Sequence, residues 1–145
     1  MKRLNFPPVW LAGFIAAAWG MARIRAPLGD ALIWPGWVLI AAGIALAVWS
    51  AVAFRRARTT IVPHQSPSAL VETGPYRYSR NPIYLADLVI LAGAALILGA
   101  PLALILLVPF HQVLLRLFVL PEEAVLTREL GQPYLDFMAR VRRWL

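Results

Sequence analysis

The chain has 145 residues, 61% of them hydrophobic and only 14% charged, with a mean hydropathy of +0.69. A water-soluble domain of this length is nearer half apolar and a quarter charged, so one domain whose surface faces lipid is expected. The chain holds no cysteine, which excludes disulfides, thiolate nucleophiles and cysteine-ligated metal, and two distant histidines make no metal site. The net charge of +7 comes from arginines beside apolar runs, a pattern of membrane topology rather than of nucleic-acid binding.

Four apolar spans can be drawn, over residues 8–22, 33–54, 82–98 and 101–120. The first is slightly short and carries Trp10 and Trp19 near its ends. Lys2 and Arg3 precede it as in a signal peptide, but no clear small-residue cleavage site follows, so the span is expected to be retained. The second runs for about 22 residues, enough for a hydrocarbon core of ~30 Å. Only Gly99 and Ala100 separate the third from the fourth, which predicts a tight helical hairpin. The expected fold is an all-α integral membrane protein with four transmembrane helices, a loop over 55–81 and a helical lid over 121–145. The long loop holds Arg55, Arg56, Arg58, Arg77 and Arg80, and the tail holds Arg128, Arg140, Arg142 and Arg143. Positive-inside counting therefore places both termini and this loop in the cytoplasm. In the loop, "RTTIVPHQSPSAL" reads as a connector, with a solvated His64 and a short interfacial helix from Ser66-Pro67.

The stretch "GPYRYSRNPIYLAD", residues 74–87, stands out against its apolar surroundings. Gly74-Pro75 reads as a turn, and Asn81-Pro82 as a helix start with Asn as N-cap and Pro at the first helical position. Tyr76, Tyr78 and Tyr84 suit an interfacial aromatic belt, and Arg77 and Arg80 suit phosphate anchoring. A functional reading competes with that structural one because of the carboxy-terminal segment. There Pro121 is expected to open a new helix just past the membrane, with Glu122 and Glu123 in its first turn. Leu126 and Leu130 share a face, and Gly131 ends the helix. Pro133 then opens a second helix whose apolar stripe is Tyr134, Phe137, Met138 and Val141, with Arg142 and Arg143 facing anionic head groups. First-turn carboxylates suit the helix dipole, yet two of them at a membrane mouth need partners or a ligand. Asp87 is expected to form an internal ion pair. His111-Gln112, inside the fourth span, reads either as a site or as an interhelical hydrogen bond.

Together these segments resemble the isoprenylcysteine carboxyl methyltransferase and phospholipid methyltransferase superfamily of integral membrane enzymes. The residues that carry the resemblance are Gly74-Pro75-Tyr76-Arg77, Arg80-Asn81-Pro82 with Tyr84, and then Glu122-Glu123, Leu126, Gly131, Tyr134 and Arg140-Val141. It covers roughly the carboxy-terminal half. It implies S-adenosylmethionine as methyl donor, bound at the cytoplasmic face under the tail helices, and a lipophilic acceptor that enters from the bilayer. Membrane lipids are the implied partners, and lipid or a second copy of the chain completes the acceptor pocket. A bacterial inner membrane is the implied location. The positions carried over are Glu123, Arg80 and Asn81 for catalysis, and Arg77, Arg80, Asn81, Tyr84, Leu85, Glu122, Glu123 and Tyr134 for the donor, with no metal.

Two positions depart from the family pattern. The prenylcysteine enzymes have Arg-His-Pro where this chain has Arg80-Asn81-Pro82, and an asparagine cannot serve as a general base. Ala86 and Asp87 fall where a glycine commonly follows the tyrosine. The donor needs an acidic partner, a basic partner for its carboxylate, and apolar cover for its adenine. Glu122 or Glu123, Arg77 or Arg80, and Tyr84 or Tyr134 supply those types. Both a lipid amine and a prenylcysteine carboxylate remain open as acceptor. The rival classes are a sterol-reductase-like enzyme using NADPH, for which the chain is short and lacks the histidine, and a non-catalytic membrane accessory protein.

Overall fold

A computed structural model describes residues 6–23, 30–57 and 70–145, which are helices and turns with no strand among them. His64 and the short helix expected from Ser66-Pro67 lie outside the described residues. Helix α1, Pro7–Met21, and helix α3, Pro82–Ile97, each begin on proline, whose fixed φ and missing N–H suit a first helical turn. Between them runs α2, Ile33–Arg56, closed by Arg55 and Arg56 in its last turn. After the turn at Gly99, a 3₁₀ stretch Pro101–Leu106 leads into α4, Leu107–Leu114. A π-helical stretch Leu115–Val119 then joins α5, Leu120–Leu130, and the last helix is α6, Gln132–Arg140.

The fourth span does not end where the sequence suggests. Pro121 stands in the first turn of α5 with Glu122 and Glu123, as expected, but no break precedes that helix: the chain is helical throughout Pro101–Leu130. A proline inside a helix crowds the carbonyl four residues back, here that of Leu117, and has no N–H to bond it. Leu117 lies in the π-helical stretch, where the wider turn leaves room for that ring. At 30 residues this rod is about 45 Å long, so it outreaches a ~30 Å hydrocarbon core and carries Glu122 and Glu123 beyond it.

Of the four expected spans, α2 and this rod are long and apolar enough to cross a membrane, whereas α1 and α3 are apolar but shorter. Their 15 and 16 residues rise only about 22–24 Å. The outer surface remains apolar: α2 exposes Trp34, Trp37, Val38, Ile44, Val48 and Trp49.

Helices α2 and α3 meet backbone to backbone. A methyl group on Gly93 would lie 2.7 Å from the Gly36 carbonyl oxygen and 2.9 Å from the Ile40 nitrogen. One on Gly43 would lie 3.0 Å from the Ala86 carbonyl oxygen. Small residues two turns apart on both helices thus let the axes approach, as apolar helix pairs do when backbone packing replaces large side chains. Deeper in the bundle Tyr84, Leu91, Phe110, Leu114 and Phe118 form one core, with Phe14 against Phe110 at 4.9 Å. A second core forms where α6 folds back. Gly131 turns the chain with φ +60°, a region glycine enters at little cost. Tyr134 and Phe137 then pack with Met138 and Val141 against Ala53, Val71 and Tyr76, as the expected stripe requires.

Gly93→Ala should lower stability by about 1–3 kcal/mol through overpacking against backbone that cannot move aside. Gly13→Ala is the control, since nothing lies within 4 Å of a methyl there and alanine favours a helix by up to about 1 kcal/mol. Thermal unfolding in detergent should separate the two; equal midpoints would remove the close-packing account.

Candidate active site

The polar stretch and the carboxy-terminal segment meet at one end of the bundle, around a cavity of about 400 Å³. Its walls come from the starts of α1 and α3, the 3₁₀ turn Gly74–Arg77, the end of the long rod and the inner face of α6. Phe54, Val71, Ile83, Leu126 and Phe137 supply apolar wall, and Arg80, Asn81, Tyr84, Asp87, Glu122, Glu123 and Tyr134 supply polar groups.

Glu123 is buried, and a buried carboxylate needs opposite charge and hydrogen bonds. Arg143 gives both: its Nε donates to Oε1 at 3.0 Å and its Nη2 to Oε2 at 2.8 Å. The Arg80 guanidinium comes to 3.0 Å of Glu123 Oε1 through Nη1, with only 9% of its side chain exposed. That approach is an ion pair without an aligned hydrogen bond, because Arg80 Nε and Nη1 both lack an acceptor. The hydrogen bonds it donates to Glu123 hold the Arg143 guanidinium above its ordinary pKa. Glu122, the neighbouring carboxylate, instead accepts a 2.7 Å hydrogen bond from the Tyr84 hydroxyl and forms no ion pair among the described residues.

The segment after α6 is fastened to the opening of α3. Arg80 N–H donates to the Arg142 carbonyl at 3.0 Å, and Asn81 Nδ2 donates to the Arg143 carbonyl at 3.0 Å. Ser79 Oγ reaches that same carbonyl at 3.4 Å, and the Trp144 ring lies 4.7 Å from His111. Asn81 does occupy the N-cap position of α3, but its side chain makes no capping hydrogen bond. The expected cap fails because the amide donates to the tail.

Two of the cavity's tyrosines hold their protons more tightly than usual. Burial raises the Tyr76 phenol above its ordinary pKa, with the Glu122 charge adding to it. Burial, then the Glu123 charge, pushes Tyr134 up to about 12, although Arg80 and Arg143 oppose the shift.

The structure therefore brings Arg80, Asn81, Tyr84, Glu122, Glu123 and Tyr134 to one cavity, and leaves two expected residues off its wall. Arg77 is exposed on the 3₁₀ turn and Leu85 is half-buried on α3, and neither lines the cavity. Asp87 forms no ion pair among the described residues and stands on the cavity wall. His111 and Gln112 lie apart from the cavity, in contact with each other at 3.5 Å. Arg142 is exposed, but Arg143 turns inward to Glu123 rather than toward lipid head groups, because a buried carboxylate binds it more strongly than a hydrated surface. Its role is the one that sequence reasoning missed. The signal available was a carboxylate pair in need of cations, with four arginines following it and nothing local to choose among them.

An all-helical, largely apolar protein with a charged cavity at one end of its helices is the class that fold and site define. A family model described as phospholipid methyltransferase matches residues 31–133, and the chain belongs to that family. Membership indicates a methyltransferase that acts on membrane lipids. No curated protein and no solved structure matches the chain. The matched region holds Arg80, Asn81, Tyr84, Glu122 and Glu123, while Tyr134 and Arg143 follow it.

Asn81→Asp should keep a competent N-cap residue yet turn a carboxylate oxygen against the Arg143 carbonyl. The loss should be about 1–3 kcal/mol, the cost of an unpaired buried polar group. Hydrogen exchange should show faster exchange at the Arg80 amide, whose acceptor is the Arg142 carbonyl. Unchanged protection there would mean that the tail is held without Asn81.

Proposed function

We propose that the protein is an S-adenosylmethionine-dependent methyltransferase, acting on a lipid-like acceptor at the cytoplasmic face of a membrane crossed by α2 and the Pro101–Leu130 helix. The observation that carries this reading is the Arg80 guanidinium, buried on the cavity wall with two nitrogens that lack acceptors. A buried guanidinium N–H without an aligned acceptor is costly even beside a counter-charge, and an anionic group of a ligand relieves that cost. The rest of the cavity suits the same donor. Its volume lies within the ~300–1,000 Å³ usual for small-molecule sites. Glu122 has capacity left after its bond from Tyr84 and suits ribose hydroxyls or an amino group. Phe54, Leu126 and Phe137 offer apolar cover for an adenine.

Bound S-adenosylmethionine supplies an electrophilic methyl group on a sulfonium sulfur. The protein's part is to bind, align and keep water out. Arg80 holds the ligand's carboxylate, Tyr84 orients Glu122, and α6 roofs the cavity through Tyr134 and Phe137. Glu123, held by Arg143, lies beside Arg80 as a counter-charge, and Asn81 holds the tail in place. Arg77, exposed on the 3₁₀ turn, and Leu85, half-buried on α3, lie off the cavity wall and take no part in this scheme. An amine acceptor must lose a proton, which Glu122 or Asp87 can accept, since neither carries a cationic partner among the described residues. A carboxylate acceptor needs no base. Membrane crossing rests on the apolar outer surface and on the long α2 and Pro101–Leu130 helices, and the orientation on positive-inside bias.

Calorimetry on the detergent-purified protein tests the donor. S-adenosylmethionine should bind, and Glu122→Ala should weaken it by about 1.5–3 kcal/mol, the worth of a charged hydrogen bond. Binding of NADPH in place of S-adenosylmethionine, or an affinity indifferent to Glu122, would overturn the reading. The orientation can be tested separately. A cysteine placed at the exposed Ala139, in a chain with no native thiol, should resist an impermeant thiol reagent outside intact cells. Labelling from outside would reverse the proposed topology.

A further inference from the structure

Arg80 and Arg143 share one carboxylate, and they do not share it equally. Arg143 takes both oxygens of Glu123 in two aligned bonds of 3.0 and 2.8 Å. Arg80 comes to 3.0 Å of Oε1, yet its Nε and Nη1 donate to nothing. A planar guanidinium matched edge to edge with a carboxylate fixes the plane of that carboxylate. With the plane set by Arg143, Arg80 gains the charge attraction of Glu123 but not its lone pairs. Arg143 is itself held by the residues that flank Arg80: its carbonyl accepts from Asn81 Nδ2 and Ser79 Oγ, and Arg80 N–H binds the Arg142 carbonyl.

We propose that Arg143 is a positioning residue: by holding Glu123 at two points it keeps Nε and Nη1 of Arg80 without an acceptor in the protein, so that Arg80 can bind the anionic group of the cavity's ligand. This role rests on the proposed function for the identity of the ligand, but not for the competition between the two arginines. Without Arg143, Glu123 rotates to satisfy Arg80 Nε and Nη1, and the anion-binding capacity is consumed within the protein. The charge of Arg143 alone is not sufficient. A lysine ammonium has no planar fork and does not fix the carboxylate plane.

The test compares single and double variants of the full chain in detergent. Arg143→Ala should weaken S-adenosylmethionine binding by about tenfold or more, the loss of a charged hydrogen bond, and Arg143→Lys should not restore it. Adding Glu123→Ala to Arg143→Ala should recover most of the affinity, because the competing carboxylate is gone. Decarboxylated S-adenosylmethionine, which lacks the anionic group, should bind wild type and Arg143→Ala with similar affinity. A double variant as weak as the single one, or an equal loss for the decarboxylated donor, would make the tail a structural brace only. A second measurement needs no ligand. With ¹⁵N-labelled arginine, the Arg80 Nε–H should exchange more slowly in Arg143→Ala than in wild type, because Glu123 now accepts it. Faster or unchanged exchange overturns the competition. A wild-type protein that binds neither donor would instead refute the proposed function, and the exchange measurement would still decide this inference.

Discussion

The buried carboxylate of Glu123 is the constraint on which the arrangement of this end of the molecule depends. A lone carboxylate in such a setting is not sustainable, and breaking a buried pair by removing one partner typically costs about 3–5 kcal/mol. The two cations that meet it arrive from distant parts of the chain: Arg80 from the opening of α3, and Arg143 from the segment after α6. Three pieces that share no secondary structure are thereby tied at one point. For Arg143 to reach back, the chain must reverse after α5. That reversal is what the positive φ at Gly131 allows, and it lays Tyr134 and Phe137 over the cavity.

The helix that carries Glu123 also explains why two adjacent carboxylates do different work. Successive residues on a helix point about 100° apart, which favours different partners for Glu122 and Glu123. Glu123 faces the arginines and Glu122 faces Tyr84. The phase of both is set upstream by the π-helical stretch Leu115–Val119, since a π turn holds one more residue than an α turn and rotates everything after it. Pro121 and the carboxylates are therefore parts of one device. The proline is accommodated by the wide turn, and the wide turn aims the pair.

Much of this was legible in the residues. Apolar runs located the helices, Pro82 marked the start of α3, Gly131 marked the end of α5, and the stripe at Tyr134, Phe137, Met138 and Val141 described the face that α6 buries. What failed did so for nameable reasons. Pro121 marked the first turn of α5, where proline is favoured, but nothing local announces the π turn that joins this helix to the span before it without a break. Asn81 looked like a cap because Asn-Pro usually is one, whereas its amide is used by a carbonyl 62 residues away. Arg143 looked like one surface cation among several, since its partner is set by tertiary contact alone. Local signals decided the elements; the site was decided by long-range competition for a few polar groups.

The lengths of the helices fit the same scheme. Helices α1 and α3 fall short of a ~30 Å hydrocarbon core by about a turn or more, and both begin at the cavity, with Pro7, Pro8, Asn81 and Ile83 on its wall. The long rod does the reverse and runs past them, carrying Leu126 to the same wall. Two short helices and one long one leave a recess roofed by the returning α6. Such a recess has apolar sides continuous with the bundle and charged groups only where the chain ends converge. A ligand with one apolar and one charged part finds both within one cavity. The charged part meets groups already desolvated by the protein, so the cost of burying them has been met in folding rather than in binding.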